Sequence, residues 1–511
     1  MKKTILLLTG IFMLTIYTSF AANIDIGVPG GSGGVQVSGT WLTGNNYIIH
    51  DHMIIAEGTS LTIQPGVNVL MADTSLKIEL ICLGNFYCAG TASEPVTFSV
   101  QSNLIPSNNP FPSLWGGMIC DTTCSEFLML YTNVKYYGGP TNDNSPSVLL
   151  HLYKNASGET EPAINFRDHN DGKLVIMHCT FTNGMDDAIY IEGGNVICAY
   201  ITDYQGGFTG GEFIDIKAGT IADLAYNFCY SQNTNAFKLS NTGSRNPQAN
   251  IVDYNNTIVN TGWRRPTVKG GSIWYESGVI GKSYNNLFIN TRFGIKTKGD
   301  HDAASEADYN YYYGYWQNVI NNFTSTSGLY PKGAHDVLGT FPGDKDPLLV
   351  NYPMNTDTMN SAYNTSWDFH LMANSPAIGV GTLSVPRHFG TTGITIQGVT
   401  YNSPAPSATV GAFANYAVGI DPLNSDKKEG LSVYPNPASA NVHLTYKIES
   451  SGIASITVCS MSGEQIYKSN EMASEGSHEL SLNTSTWMDG VYFVRLQIQD
   501  RVYTQKVIVT R

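Results

Sequence analysis

The chain has 511 residues, enough for two to four average domains or for one long solenoid with a small module attached. Only 14% of the residues are charged while 51 are Gly and 11% are aromatic. That balance suits an extended all-β protein, and no long stretch alternates at a helical period. The formal net charge of −13 excludes a nucleic-acid binder, whose phosphate partner demands clustered Lys and Arg, and it weighs against anionic membrane surfaces.

In chain order, residues 1–21 read as an export signal. Lys2 and Lys3 form the positive start, residues 5–16 the apolar core, and Ser19-Phe20-Ala21 a small-x-small cleavage site. No later run is long and apolar enough to span a bilayer, so no transmembrane segment is expected after signal removal. A Gly-rich segment occupies 22–36. A β-rich entry region follows over 37–140, with Gly58-Thr59-Ser60-Leu61-Thr62-Ile63-Gln64-Pro65-Gly66-Val67 and Gly90-Thr91-Ala92-Ser93-Glu94-Pro95-Val96-Thr97-Phe98. Far downstream stand Asp346-Pro347-Leu348-Leu349-Val350-Asn351, Asp368-Phe369-His370-Leu371 and Asn374-Ser375-Pro376-Ala377-Ile378. Together these stretches resemble the opening and closing coils of secreted pectate-lyase-like proteins. The resemblance implies a right-handed parallel β-helix over 37–416.

Residues 417–430 read as a polar linker. Residues 431–511 are short alternating strands with turn residues between them, hence a small β-sandwich. Within them Tyr434-Pro435-Asn436-Pro437, Gly490-Val491-Tyr492 and Gln505-Lys506-Val507-Ile508-Val509 resemble the type IX secretion sorting domain of the Bacteroidetes. The resemblance implies the type IX machinery as partner, passage through periplasm and outer membrane, and a secreted or cell-surface location.

Eight cysteines in an exported chain permit disulfides. Cys82 with Cys88, and Cys120 with Cys124, are close enough to pair across loops. Cys179, Cys198 and Cys229 sit in apolar strands as buried thiols. No His or second Cys pair stands at zinc-ligand spacing.

The most regular signal is a recurrence: Tyr226-Asn227, Tyr254-Asn255-Asn256, Tyr284-Asn285-Asn286 and Tyr309-Asn310, at intervals of 25 to 30 residues. Such a period marks stacked units. Aligning the apolar run after each copy, with one earlier coil added, gives a second position that is always apolar: Ile189, Ile214, Phe237, Ile273 and Ile295. The third position, facing out by strand alternation, reads Tyr190, Asp215, Lys238, Trp274 and Lys296. The fifth reads Glu192, Lys217, Ser240, Glu276 and Lys298. Aromatics beside charges on one face suit a polysaccharide, with rings stacking on sugars while Lys and Asp hold hydroxyls or carboxylates. The competing reading is a solvated face on which Asp215 and Lys238 form a cross-strand pair worth a few tenths of a kcal/mol.

Enzymes of the resembled fold cleave acidic polysaccharides by β-elimination, with a Lys or Arg taking the C5 proton and calcium neutralising the adjacent carboxylate. Carried onto this chain, the resemblance makes Lys238, Lys296 and Arg292 candidate bases. Asp186, Asp187 and Asp215, with Glu212, are candidate hard-oxygen ligands for calcium. Tyr190, Asp215, Lys217, Trp274 and Glu276 are expected to bind substrate. A Lys base must lose its proton, which requires desolvated or cationic surroundings. A second enzymatic reading is glycoside hydrolysis by paired carboxylates. Gly184-Met185-Asp186-Asp187 and Gly294-Ile295-Lys296 resemble motifs of polygalacturonase-type hydrolases, but no Gly-His-Gly stands between them and the interval is too long. The non-enzymatic alternative is a surface adhesin or structural stalk. An enzyme predicts that Lys238, Lys296, Asp215 and Trp274 line one groove walled by a 241–271 insertion that carries Arg264 and Arg265. An adhesin predicts that they are dispersed. The aromatic run 309–316 is expected to pack the end of the solenoid.

Overall fold

The computed structural model describes residues 22–413 and 431–510, apart from 32, 153–155, 168–170, 209, 266–269, 298–299, 326, 437, 449–451, 461–464 and 499–500. The proposed signal, the linker and Pro437 therefore lie outside the described residues.

Residues 22–416 form one compact unit, a parallel β-helix whose coils each give one strand to each of three walls. Sheet one starts at Asn23–Ile26 and has 12 strands; sheet two starts at Val35–Gln36 and sheet three at Gly39–Trp41, with 10 strands each. The first two strands of the first coil thus lie inside the Gly-rich segment expected to precede the solenoid. Ile24 pairs with Tyr47 and Val35 with Met53 of the next coil, and the glycines make the corner between those two walls.

Alternation along each strand drives the architecture. Ile189, Ile214, Phe237, Ile273 and Ile295 are mutual register partners and all belong to the interior core. Burying each such side chain contributes roughly 1.5–3 kcal/mol.

The Tyr-Asn recurrence marks the corner between sheets three and one. Tyr226, Asn255, Asn285 and Tyr309 have φ between 53° and 60°, a left-handed turn that Asn tolerates better than most residues. The next residue in each copy builds a buried ladder. The Asn227 amide donates to Asn256 Oδ1 (2.8 Å), Asn256 to Asn286 Oδ1 (3.0 Å), Asn286 to Asn310 Oδ1 (3.1 Å), and Asn310 to Asp336 Oδ1 (2.8 Å). Side-chain amides thereby satisfy corner N–H groups that a turn would otherwise leave unpaired.

The solenoid is sealed at its far end by helix Gln317–Thr324, whose Val319 and Phe323 enter the core beside Tyr312. Tyr311 and Tyr313 point the other way, into an outer cluster with Leu349, Tyr352, Phe369, Leu371 and Val410. The run 309–316 is therefore packing. After it the chain returns along the outside and covers two walls. The outer cluster just named lies on sheet one, while Phe389, Ile394 and Ile396 pack on Val175, Ile197, Ala225 and Val252 of sheet three. Asp223 pins the return: its carboxylate accepts from the His388 amide (3.0 Å), the Phe389 amide (2.9 Å) and Ser403 Oγ (2.5 Å).

All eight cysteines are free thiols. Cys82 and Cys88 do not pair, because they sit on different walls. Cys82 is instead the register partner of Cys120 on sheet two, and Cys88 lies against Thr132 Oγ1 at 3.1 Å. Cys120 and Cys124 are both buried in the core without a bond between them.

Residues 417–511 are a separate unit. In it a three-stranded and a four-stranded antiparallel sheet enclose one core that includes Val442, Leu444, Val458, Trp487, Val494 and Val507. This is the sandwich expected from the alternation.

Candidate functional site

The outward column of sheet two is in register as aligned: Tyr190, Asp215, Lys238, Trp274 and Lys296 follow one another on successive coils, and Asn165, outside the alignment, precedes them. On earlier coils the wall is apolar, with Ile81 and Ile119 covered by Leu152 and Tyr190 at the edge of that cover. The charges begin where the apolar cover ends.

These side chains are recessed rather than solvated. Asp215 is 3% exposed and Trp274 5%. Lys217 Nζ donates to both oxygens of Asp215 (2.8 and 2.9 Å), and Lys238 Nζ lies 3.4 Å from Asp215 Oδ2 and 3.5 Å from Glu276 Oε1. The Lys217 ammonium sits over the Tyr190 ring at 5.0 Å, and the Lys296 ammonium over the Trp274 and Phe293 rings at 5.1 and 4.5 Å. Such pairing is what permits charges to be buried at all. Glu192 is held by Arg245 at 2.9 Å and by Asn165 at 3.2 Å. Lys298 lies outside the described residues.

The segment 241–271 is not a single insertion. It contains Asn250–Tyr254 of sheet three and Thr257–Val259 of sheet one, so it is a full coil with a loop at either end. Arg245 in the first loop binds Glu192. Arg264 in the second donates to the carbonyls of Gly206 (2.6 Å) and Ser231 (2.8 Å). Arg245 and Arg264 are thus each anchored at one end of that coil, where a single wall was expected.

Beside the column, the corner between sheets one and two gathers acids. Oxygens of Asp187, Glu212 and Asp215 lie within 4.8 Å of one another, all three residues buried. Asp187 Oδ1 accepts the amides of Gly211 (3.1 Å) and Glu212 (2.7 Å), and Asn235 Nδ2 donates to Glu212 Oε1 at 3.3 Å. Asp186 stands outside this trio; it accepts from Thr160 Oγ1 and from the Asp187 amide. Burial, reinforced by the charges of Glu212, Asp186 and Asp215, pushes the Asp187 carboxyl well above its usual range. Lys238 moves the other way from a catalytic base. Burial alone would depress it, but Asp215, Glu212 and Glu276 outweigh that and raise it. Lys217 is likewise raised against its burial by Asp215. Arg292 is lowered by burial; its Nη1 lies 3.5 Å from the carbonyls of Gly262 and Arg265 and its guanidinium 5.0 Å from the Phe293 ring.

An all-oxygen trio matches the donor chemistry of calcium, with Asp187, Glu212 and Asp215 as the residues that would hold the ion. Asp215 is engaged on both oxygens by Lys217, so a metal there would have to displace that ammonium. Asn235 escaped the sequence reading because the alignment followed strands. Aligning the corners instead (Asp187, Glu212, Asn235 on consecutive coils) would have found it.

In the C-terminal unit, Asn436 ties the chain to the last strand, its Nδ2 donating to the Lys506 carbonyl (2.6 Å) and its Oδ1 accepting the Ile508 amide (2.8 Å). Tyr434, half exposed, reaches Glu479 at 3.3 Å. Pro435 follows it directly. Gly490 pairs with Val509, and buried Tyr492 donates to the Met488 carbonyl at 2.8 Å while packing on Trp487. Residues 432–510 match the secretion system C-terminal sorting domain. No curated protein is similar to the chain. The molecule is thus a parallel β-helix carried by a type IX sorting domain. It is exported cargo of that secretion system, bound for the cell surface or the extracellular space.

Proposed function

We propose that this exported β-helix binds and hydrolyses a polysaccharide along sheet two and its carboxylate corner. One observation carries the reading: the returning chain packs over the later coils of sheet one and over sheet three, while sheet two carries the aromatic and charged column beside three buried acids whose oxygens lie within 4.8 Å of one another. Asp187, whose hold on its proton is strengthened by burial and then by its acidic neighbours, is suited to protonate a leaving glycosidic oxygen. Glu212 is the carboxylate partner, because Asp215 is occupied by two ammonium groups. One oxygen of each lies within 4.8 Å of the other, which favours the short spacing of retaining hydrolases, about 5–5.5 Å, over the 6.5 Å or more of inverting ones. Lys238 and Lys217 then act as cations that orient a hydroxyl or carboxylate of the glycan, and Tyr190 and Trp274 supply ring contacts.

Elimination with Lys238 as base is disfavoured by the raised affinity of Lys238 for its proton. Calcium on Asp187, Glu212 and Asp215 would supply charge neutralisation for such an elimination. The non-catalytic adhesin keeps one specific support, the mutual satisfaction of Asp215, Lys217, Lys238 and Glu276. Incubation of mature protein with uronate-containing and neutral polysaccharides separates the three. New reducing ends without ultraviolet absorption support hydrolysis. An unsaturated, calcium-dependent product supports elimination, and binding without cleavage supports the adhesin.

A further inference from the structure

Phe208 is a large apolar side chain that the fold holds out in solvent. It is 61% exposed, yet its backbone is fixed: its amide donates to the Met185 carbonyl at 2.8 Å, and its carbonyl accepts Asn233 Nδ2 at 3.2 Å. One side of the ring rests on Phe111, which is only 7% exposed, with centroids 5.7 Å apart. The guanidinium of Arg264 sits over Phe111 at 5.2 Å. The loop that carries Phe111 is itself anchored, since Asn183 Nδ2 donates to the Pro110 carbonyl at 3.0 Å. Two residues beyond Phe208, Gly210 passes so close to Asp186 that a methyl group on it would collide with Asp186 Oδ1. The exposed ring therefore stands beside the Met185-Asp186 turn at the carboxylate corner, its backbone hydrogen-bonded to that turn.

A surface Phe of this kind gains nothing from water, and its outward side lacks the packing that its inward side has on Phe111. The CH face of a pyranose is the complementary surface: flat, apolar, and bounded by hydroxyls that Arg264 and the corner carboxylates can meet. We propose that Phe208, backed by Phe111 and Arg264, is the platform of a sugar-binding subsite that holds one ring of the glycan next to Asp186 and Asp187. The proposal rests on the glycan reading above and adds a positioning residue to it. Phe208 touches the sugar ring and takes no part in proton transfer.

The test uses the full mature chain and four probes: polygalacturonate, alginate, xylan and a mixed-linkage β-glucan. Retardation in gels containing each polysaccharide is measured for wild type, Phe208→Ala, Phe208→Trp and Asp187→Asn, with thermal melts for all four proteins. For the probe that wild type binds, Phe208→Ala is expected to weaken binding about tenfold with an unchanged melt. Phe208→Trp should retain binding, with an emission change on adding the probe beyond that of wild type. Affinity of Phe208→Ala within twofold of wild type overturns the subsite while leaving the glycan reading intact. If wild type binds none of the four probes, the glycan reading fails and the subsite falls with it.

Discussion

Two regions of the same solenoid use acidic side chains in opposite ways. On sheet three, Asp223 points outward and is consumed by the fold: two amides and a hydroxyl of the returning chain converge on its carboxylate. On sheet two, Asp215 also points outward, one wall further round, and is met by the ammonium groups of Lys217 and Lys238. Two backbone amides and one hydroxyl answer the first charge, and two ammonium groups the second. Backbone partners lock a segment in place, whereas side-chain partners can exchange for a ligand of like charge. The contrast separates a wall closed by backbone donors from one closed by side-chain ion pairs.

The largest expected effect lies on the architectural side. Asp223→Ala leaves three buried donors of the return without an acceptor, and should cost about 3–5 kcal/mol in denaturant unfolding. A loss below 1 kcal/mol would mean that the return is not held by this clamp. On the other wall, Asp215→Ala removes the carboxylate that Lys217 holds on both oxygens and leaves Lys238 only Glu276, and should cost about 3 kcal/mol. Lys238→Met removes one partner while Lys217 still satisfies Asp215, so its cost should be about 1 kcal/mol. If the two substitutions cost the same, the ion pairs are not organised around Asp215.

A third acid, Asp203, faces the solenoid interior between Phe181 and Cys229. Burial pushes it up to about 8, and burial pushes Asp253, also interior, up to about 7. Below those values each stays neutral in the native state, whereas unfolded it ionises near pH 4. The unfolded chain therefore binds fewer protons between about pH 4 and 8, and the stability present below pH 4 falls progressively across that window until these groups ionise in the folded state, at about 7 and about 8. Asp203→Asn should flatten this fall and raise the melting temperature at pH 8.5 more than at pH 5. Equal shifts at both pH values would show that Asp203 is already ionised. The smallest effect on folding is expected from deleting 431–511, which should leave the melt of the solenoid nearly unchanged yet strand the protein in the periplasm. Normal surface display of the truncated chain would contradict the sorting role.

The solenoid and its register were legible because the apolar second position recurs through Ile189, Ile214, Phe237, Ile273 and Ile295, and a one-residue slip would have inverted every face. Two things were not. The burial of the outward column depends on lateral neighbours such as Lys217 over Tyr190, which strand alternation does not report. The return over sheets one and three joins residues as distant as Asp223 and Ser403, and no local period records a contact of that range. The same limit hid Asp203: within Thr202-Asp203-Tyr204 nothing local distinguishes an inward acid from the outward one in Ile214-Asp215-Ile216.

The central claim is that sheet two with its corner is a hydrolytic site whose acid is Asp187. The most direct measurement is reducing-end release from the polysaccharide that wild type binds, compared between wild type and Asp187→Asn across pH 4 to 9. The account predicts a loss of about 100-fold or more in Asp187→Asn, with an unchanged melt and retained binding, and wild-type activity that declines on the alkaline side as Asp187 gives up its proton. Full activity in Asp187→Asn, or a product that absorbs in the ultraviolet, would contradict it.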